Sequence, residues 1–214
     1  MNKVEKQNTN NDDRRIRRTK KLLKESLATL LLKKKLNDIT VKELVDLADL
    51  NRGTFYLHYR DIYEMLSQIE AEMLNELEEI SSRYSPQALR VSPKPYITEV
   101  FQYVADNQTF CKMLLGPYGD IGFVEKLKKM VEEKCFRLLI ETCPQQDLQD
   151  YEYFAAYTVS GSIGLLQRWM EDGMKVSPEE LAEVAEGMIQ NGMDYLMRNT
   201  QTPVVQAKKP LGRK

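Results

Sequence analysis

Leu22, Leu23, Leu27, Leu30 and Leu31 recur at helical spacing in a stretch otherwise rich in lysine and arginine, and they predict a helix over residues 14–35. Asn37 and Asp38 break that pattern. Thr40-Val41-Lys42-Glu43 then has the form of a capping box, in which the Thr40 hydroxyl accepts from a backbone N–H of the first turn and Glu43 reaches back. The helix it opens is short, 41–48, with Val41, Leu44, Val45 and Ala48 on one face. Asp49-Leu50-Asn51 reads as a tight turn and 52–59 as a third helix. Asp61 reads as the N-cap of a fourth helix reaching about residue 82.

Pro86, Pro93 and Pro95 fall within 85–95, which reads as a linker. Beyond it the apolar periodicity predicts helices over 96–106, 108–115, 122–142, 146–172 and 178–199. Gly116-Pro117-Tyr118-Gly119 is a turn signal, and Cys143-Pro144 ends a helix. Ser177-Pro178-Glu179-Glu180 combines an N-cap, a proline at the first helical position and a glutamate at the third. No stretch alternates with period two long enough for a strand, and no repeat stands out at solenoid periods. The expected fold is all-α, an N-terminal three-helix helix-turn-helix domain followed by a C-terminal helical bundle. The longest leucine-rich run, 27–32, is far below the roughly 20 residues that span a bilayer, so no membrane segment is expected. The first 13 residues are polar and lack a signal-peptide core.

A formal net charge of −1 conceals a division along the chain. Residues 1–60 hold 15 Lys and Arg against 8 Asp and Glu, whereas 61–199 hold 12 against 24. Residues 200–214 add four cations and no acid. That division suggests a basic module that meets a polyanion, joined to an acidic body that does not. The three cysteines, Cys111, Cys135 and Cys143, are irregularly spaced and make no disulfide framework, so a reducing cytoplasm is expected. They are read as buried thiols, with redox sensing or soft-metal binding as the alternative. One histidine, no metal-ligand cluster and no glycine-rich phosphate loop argue against an enzyme, and no cofactor or metal is expected.

Residues 40–59 have the spacing of a helix-turn-helix. Ala48 is small where two helices must cross, Leu50 fills the space beneath the turn, and Phe55 and Tyr59 share a buried face. Arg52, Gly53, Thr54, Tyr56 and His58 are left near the other face or the N-terminal end. All can reach phosphates or base edges, and a single helix fits a major groove roughly 12 Å wide. Tyr56 packed beneath the first helix, and His58 as a structural hydrogen-bonder, remain open readings. The run Arg14, Arg15, Arg17, Arg18, Lys20 and Lys21 is either a solvated helix face or a contact to the DNA backbone.

Ile39-Thr40-Val41-Lys42-Glu43-Leu44, then Ala48, then Asn51-Arg52-Gly53-Thr54-Phe55-Tyr56-Leu57-His58-Tyr59 resembles the DNA-binding domain of the TetR family of bacterial transcriptional regulators. The resemblance covers about residues 14–66. It implies phosphate contacts from Thr40 and Tyr56, a base or phosphate contact from Lys42, and base-edge contacts from Asn51, Arg52, Gly53 and Thr54. His58 would approach the backbone, and Arg52 suits a bidentate contact to guanine worth about 1–3 kcal/mol. Two residues depart from the family pattern. Asp49 replaces the usual turn glycine, and Ile62 replaces a phosphate-binding lysine, for which Arg60 or Lys42 is the substitute.

The rest of the chain looks like that family's acidic ligand-binding and dimerisation domain. Ser160-Gly161-Ser162-Ile163-Gly164, followed by Trp169 and Gly173, is similar to a C-terminal domain common in regulators from Firmicutes. The resemblance implies a four-helix homodimer interface using Ser160, Gly161 and Gly164 with Leu181, Val184, Met188 and Gly192. It also implies a pocket for a mostly apolar small-molecule effector among Phe101, Phe110, Met113, Tyr118, Met130, Phe136, Phe154 and Tyr157. The expected organisation is a flexible segment 1–13 and a DNA-binding domain 14–66, with the fourth helix connecting to about 83. A regulatory domain 84–199 and a basic disordered tail 200–214 follow. The expected function is a ligand-responsive homodimeric repressor on a palindromic operator in double-stranded DNA. The alternative is a partner-dependent coactivator of the same fold.

Overall fold

The computed structural model describes residues 3–116, 121–143 and 148–198. The first helix, α1 (Lys3–Leu31), begins within the segment expected to precede the domain. A single 3-10 turn (Leu36–Asp38) leads to α2 (Val41–Leu47), α3 (Arg52–Tyr56) and α4 (Ile62–Ser82). The body comprises α5 (Pro86–Val91), α6 (Lys94–Asp106), α7 (Gln108–Leu115), α8 (Ile121–Thr142), α9 (Leu148–Glu171) and α10 (Pro178–Arg198). No strand occurs among the described residues, so the fold is all-α as the periodicity predicts. The turn 117–120 and the tail 200–214 lie outside the described residues, Tyr118 among them.

Local chemistry sets most boundaries. Thr40 caps α2 by accepting from the Glu43 N–H at 3.2 Å, but Glu43 does not complete the capping box. Its carboxylate instead meets the Lys34 ammonium and ties α2 to the end of the first helix. After α2, Asp49 takes φ 55°, and the Leu50 N–H donates to the Val45 carbonyl at 2.9 Å, closing a Schellman turn. The aspartate thus occupies the left-handed position that glycine usually fills. Gly173, at φ 79°, ends α9 the same way, with the Met174 N–H on the Trp169 carbonyl at 2.8 Å. At α10 the capping box is reciprocal, Ser177 N–H to Glu180 at 2.8 Å and Glu180 N–H to Ser177 Oγ at 3.2 Å.

The expected linker is itself structured. Ser85 caps α5 by accepting from the Ala88 N–H at 3.2 Å, and Pro86 and Pro95 both fall in first turns. A first-turn N–H has no partner inside the helix, so a proline there costs no hydrogen bond and opens a helix as readily as it ends one. Arg83 pairs with Glu99, and the Tyr84 hydroxyl bridges to Glu99 at 2.9 Å, fixing α4 to α6. Glu186 of α10 accepts from Ser92 Oγ at 2.5 Å and from the Lys94 N–H at 3.3 Å. A carboxylate at the positive end of α6 is favourable and joins α6 to α10.

One apolar core runs from the helix-turn-helix into the body. Leu23, Leu27, Leu44, Phe55, Tyr59 and Met65 are continuous with Phe101, Met113, Phe123 and Trp169. A smaller cluster around Leu139, Cys143 and Tyr151 gathers Phe136, Phe154 and Met193. The two parts are thus joined by packed side chains.

Candidate nucleic-acid interface

α2 and α3 are held at their crossing by Leu44, Val45 and Ala48 against Phe55, all buried. Burial of Phe55 and Tyr59 turns the opposite side of α3 outward, as their four-residue spacing predicts. Arg52 and Gly53 are exposed, Thr54 is half-buried, and Tyr56 is 58% exposed. The Tyr56 ring meets Phe55 edge-on at 5.4 Å and does not pack beneath the first helix. Its hydroxyl is free to face a phosphate. Lys42 is exposed in the first turn of α2 beside the Thr40 cap.

Asn51 caps α3. Its Oδ1 accepts from the Thr54 N–H at 2.8 Å and from the Thr54 hydroxyl at 3.1 Å. The Asn51 carbonyl and the Thr54 proton are therefore committed to the cap. What remains for a base edge is the Asn51 NH2 as donor and the Thr54 oxygen as acceptor. A Cβ on Gly53 would lie 3.2 Å from Asn51 Oδ1, so glycine accommodates the cap as well as leaving the backbone bare.

His58 is half-buried and faces Tyr59 edge-on. Burial, then the nearby Lys20 charge, lowers its pKa and favours the neutral imidazole in the free chain. Arg60 is exposed, but its Nε sits 3.1 Å from Asp61, the cap of α4. Ile62 is buried in the core, and that position reaches no surface.

The basic run of α1 divides. Arg14, Arg15, Arg17 and Arg18 are exposed, whereas Lys20 lies 5.8 Å over the Tyr59 ring. Lys21 pairs with Glu25, 3.8 Å away. Among the exposed side chains at this end are two to which the motif assigns no role. They are Leu57, and Tyr63, whose hydroxyl donates to Asn37 at 2.9 Å.

The residues expected to bind an effector are not gathered in one place. Phe101 and Met113 are closed in the main core, where Phe101 packs on Trp169 at 6.0 Å, and Phe110 and Met130 lie at its margin. Phe136 and Phe154 belong to the smaller cluster, and Tyr157 is 79% exposed. Of the residues expected at a dimer interface, Ser160, Gly161, Gly164, Val184 and Met188 are exposed. Leu181 is instead buried in its own chain's core, and a Cβ on Gly192 would lie 3.1 Å from Phe154. Tyr153 and Tyr195 join the exposed faces of α9 and α10. Burial lifts the Cys111 thiol to about 12 and Cys135 to about 11, so both stay protonated at neutral pH. No described helix is long and apolar enough to cross a membrane.

Two short capped helices joined by a tight turn, with polar side chains outward on the second, have the helix-turn-helix architecture. Residues 92–191 match the TetR_C_8 family model, described as a transcriptional regulator C-terminal region. The whole fold resembles a TetR transcriptional regulator from Streptococcus agalactiae, 21% identical over 83% of this chain and 97% of that one, TM-score 0.57. It also resembles NalD, the secondary repressor of the MexAB-OprM multidrug efflux pump in Pseudomonas aeruginosa, 18% identical over 81% and 94%, TM-score 0.63. The fatty acid degradation regulator FadR from Bacillus halodurans is 13% identical over 82% and 96%, TM-score 0.63. No curated protein matches the chain in sequence. Residues 92–191 therefore carry a TetR-type regulator C-terminal region, and the fold of the chain is the one these TetR-family regulators share.

Proposed function

We propose that the protein is a homodimeric repressor that binds a palindromic operator and leaves it when a small apolar effector binds. The observation that carries this reading is the outer side of α3. Arg52 and Tyr56 stand exposed there, and Asn51, Gly53 and Thr54 present a donor, a bare backbone and an acceptor. Those groups suit base edges and phosphates, with Thr40, Lys42, His58 and Arg60 around them. Arg60 serves as a phosphate contact only by exchanging Asp61 for the phosphate. Homodimerisation is supported by the unpartnered faces of α9 and α10. Tyr157, Gly161 and Gly164 lie along one, and Val184, Met188 and Tyr195 along the other. A two-fold pair sets two recognition helices about 34–36 Å apart, one turn of duplex.

An effector would work by displacing the half-buried Phe110, Met130, Phe136 or Phe154, and methionine and phenylalanine there can repack around an apolar guest. Because the core is continuous, that repacking alters the placement of α3. A coupling of about 1–3 kcal/mol shifts DNA affinity by about 5- to 150-fold.

The test is mobility shift of the purified protein on its own upstream region across a salt series. Phosphate contacts predict a steep linear fall of log affinity with log salt. If no duplex is retarded at low salt, the repressor reading is wrong and the partner-dependent coactivator takes its place.

A further inference from the structure

Leu57 is 81% exposed, yet it closes a helix whose other side lies in the core. Its N–H donates to the Gly53 carbonyl at 3.1 Å, so helical geometry continues from Gly53 to Leu57. Gly53 and Leu57 each stand two positions from Phe55, about 200° round a helix of 3.6 residues per turn. Phe55 is fully buried, so these two form the outermost ridge of α3. Arg52 and Tyr56 flank the ridge on one side and Thr54 on the other. The flanks are polar, and the crest is bare backbone followed by an isobutyl group.

The isobutyl group offers nothing to phosphates, which take donors and cations. Among the base edges of the major groove there is one apolar group, the thymine C5-methyl. We infer that Leu57 reads a thymine methyl in each half-site, and that glycine at 53 lets the crest approach the groove floor closely enough to do so. The inference rests on the DNA-binding reading above and adds to it a specificity contact that carries no charge.

The full chain is used at low salt to select duplexes from a random pool, and the best is rebuilt with each thymine replaced in turn by deoxyuridine, which lacks only the methyl. One position per half-site should bind about fourfold more weakly, the worth of burying one methyl group. With Leu57→Ala, deoxyuridine at that position should make no difference, while the salt slope stays at the wild-type value because no charge has changed. The inference is overturned if no deoxyuridine position weakens wild-type binding, or if Leu57→Ala still discriminates the methyl. The thymine scan uses the wild-type chain, so its outcome is independent of how the variant folds. Failure of the wild type to retain any duplex is a distinct result, which removes the DNA-binding reading and this inference with it.

Discussion

Gly161 and Gly164 lie on the exposed face of α9, and a Cβ added at either meets nothing within 4 Å in the single chain. Replacing both with glutamine therefore separates folding from association. Glutamine is a good helix former, so each replacement should stabilise the isolated chain by about 0.5–1 kcal/mol, and it adds no new apolar surface. In a two-fold dimer packed through this face each replacement occurs twice. At about 1 kcal/mol of overpacking per site, the low end for well-packed contacts, four intrusions weaken the dimer by about 4 kcal/mol, or about 1,000-fold. Sedimentation velocity across a dilution series reads the dimer constant, and urea unfolding at the lowest concentration reads the chain. A variant that unfolds later but dimerises as tightly as wild type would refute the placement of this face at the interface. Gly192→Ala is the control, because its methyl meets Phe154 within the chain at 3.1 Å, and its effect should fall on stability.

Arg52→Ala should leave unfolding within about 0.5 kcal/mol of wild type, as for an exposed residue, and lower operator affinity by about 1–3 kcal/mol in a titration at fixed salt. Asn51→Ala should cost about 1 kcal/mol of stability through loss of the α3 cap. Asn51→Asp should keep the cap but lose DNA affinity, since it removes the NH2 donor and brings a negative charge to the phosphates. Asp49→Val should destabilise by about 1–2 kcal/mol, because a β-branched residue resists the left-handed turn at φ 55°. His58 has a folded pKa below its unfolded value of 6.5, so the unfolded chain binds more protons in that interval. Its contribution to stability is complete above pH 6.5 and is lost as pH falls through the folded value. Urea midpoints at pH 7.5 and 5.5 should differ less in His58→Gln than in wild type.

Much of the candidate DNA-facing site was legible because its determinants are local. Phe55 and Tyr59, four apart, announced a buried side, and whatever lay opposite had to face out. What that side presents was less legible. Asn51 reads as a base contact by position, but a hydrogen bond to Thr54 commits half of its amide to the helix start. Arg60 reads as a substitute for a missing lysine until Asp61 is seen beside it. Leu57 stands inside the motif with no role assigned to it, and only its exposure draws notice.

Caps and turns lay in the sequence because each is completed within a few residues. Thr40 with Glu43, Asp61 with Glu64 and Ser177 with Glu180 fix helix starts whatever surrounds them. The tertiary structure decided what each apolar stripe would meet. Leu181, Val184 and Met188 share one stripe of α10, yet the chain's own core closes over Leu181 and leaves the other two outside. Glu43, placed to reach back within its own helix, found Lys34 instead. Periodicity dictates which side chains point the same way along a helix, whereas the neighbour that buries them comes from residues distant in the chain, whose approach no local pattern encodes.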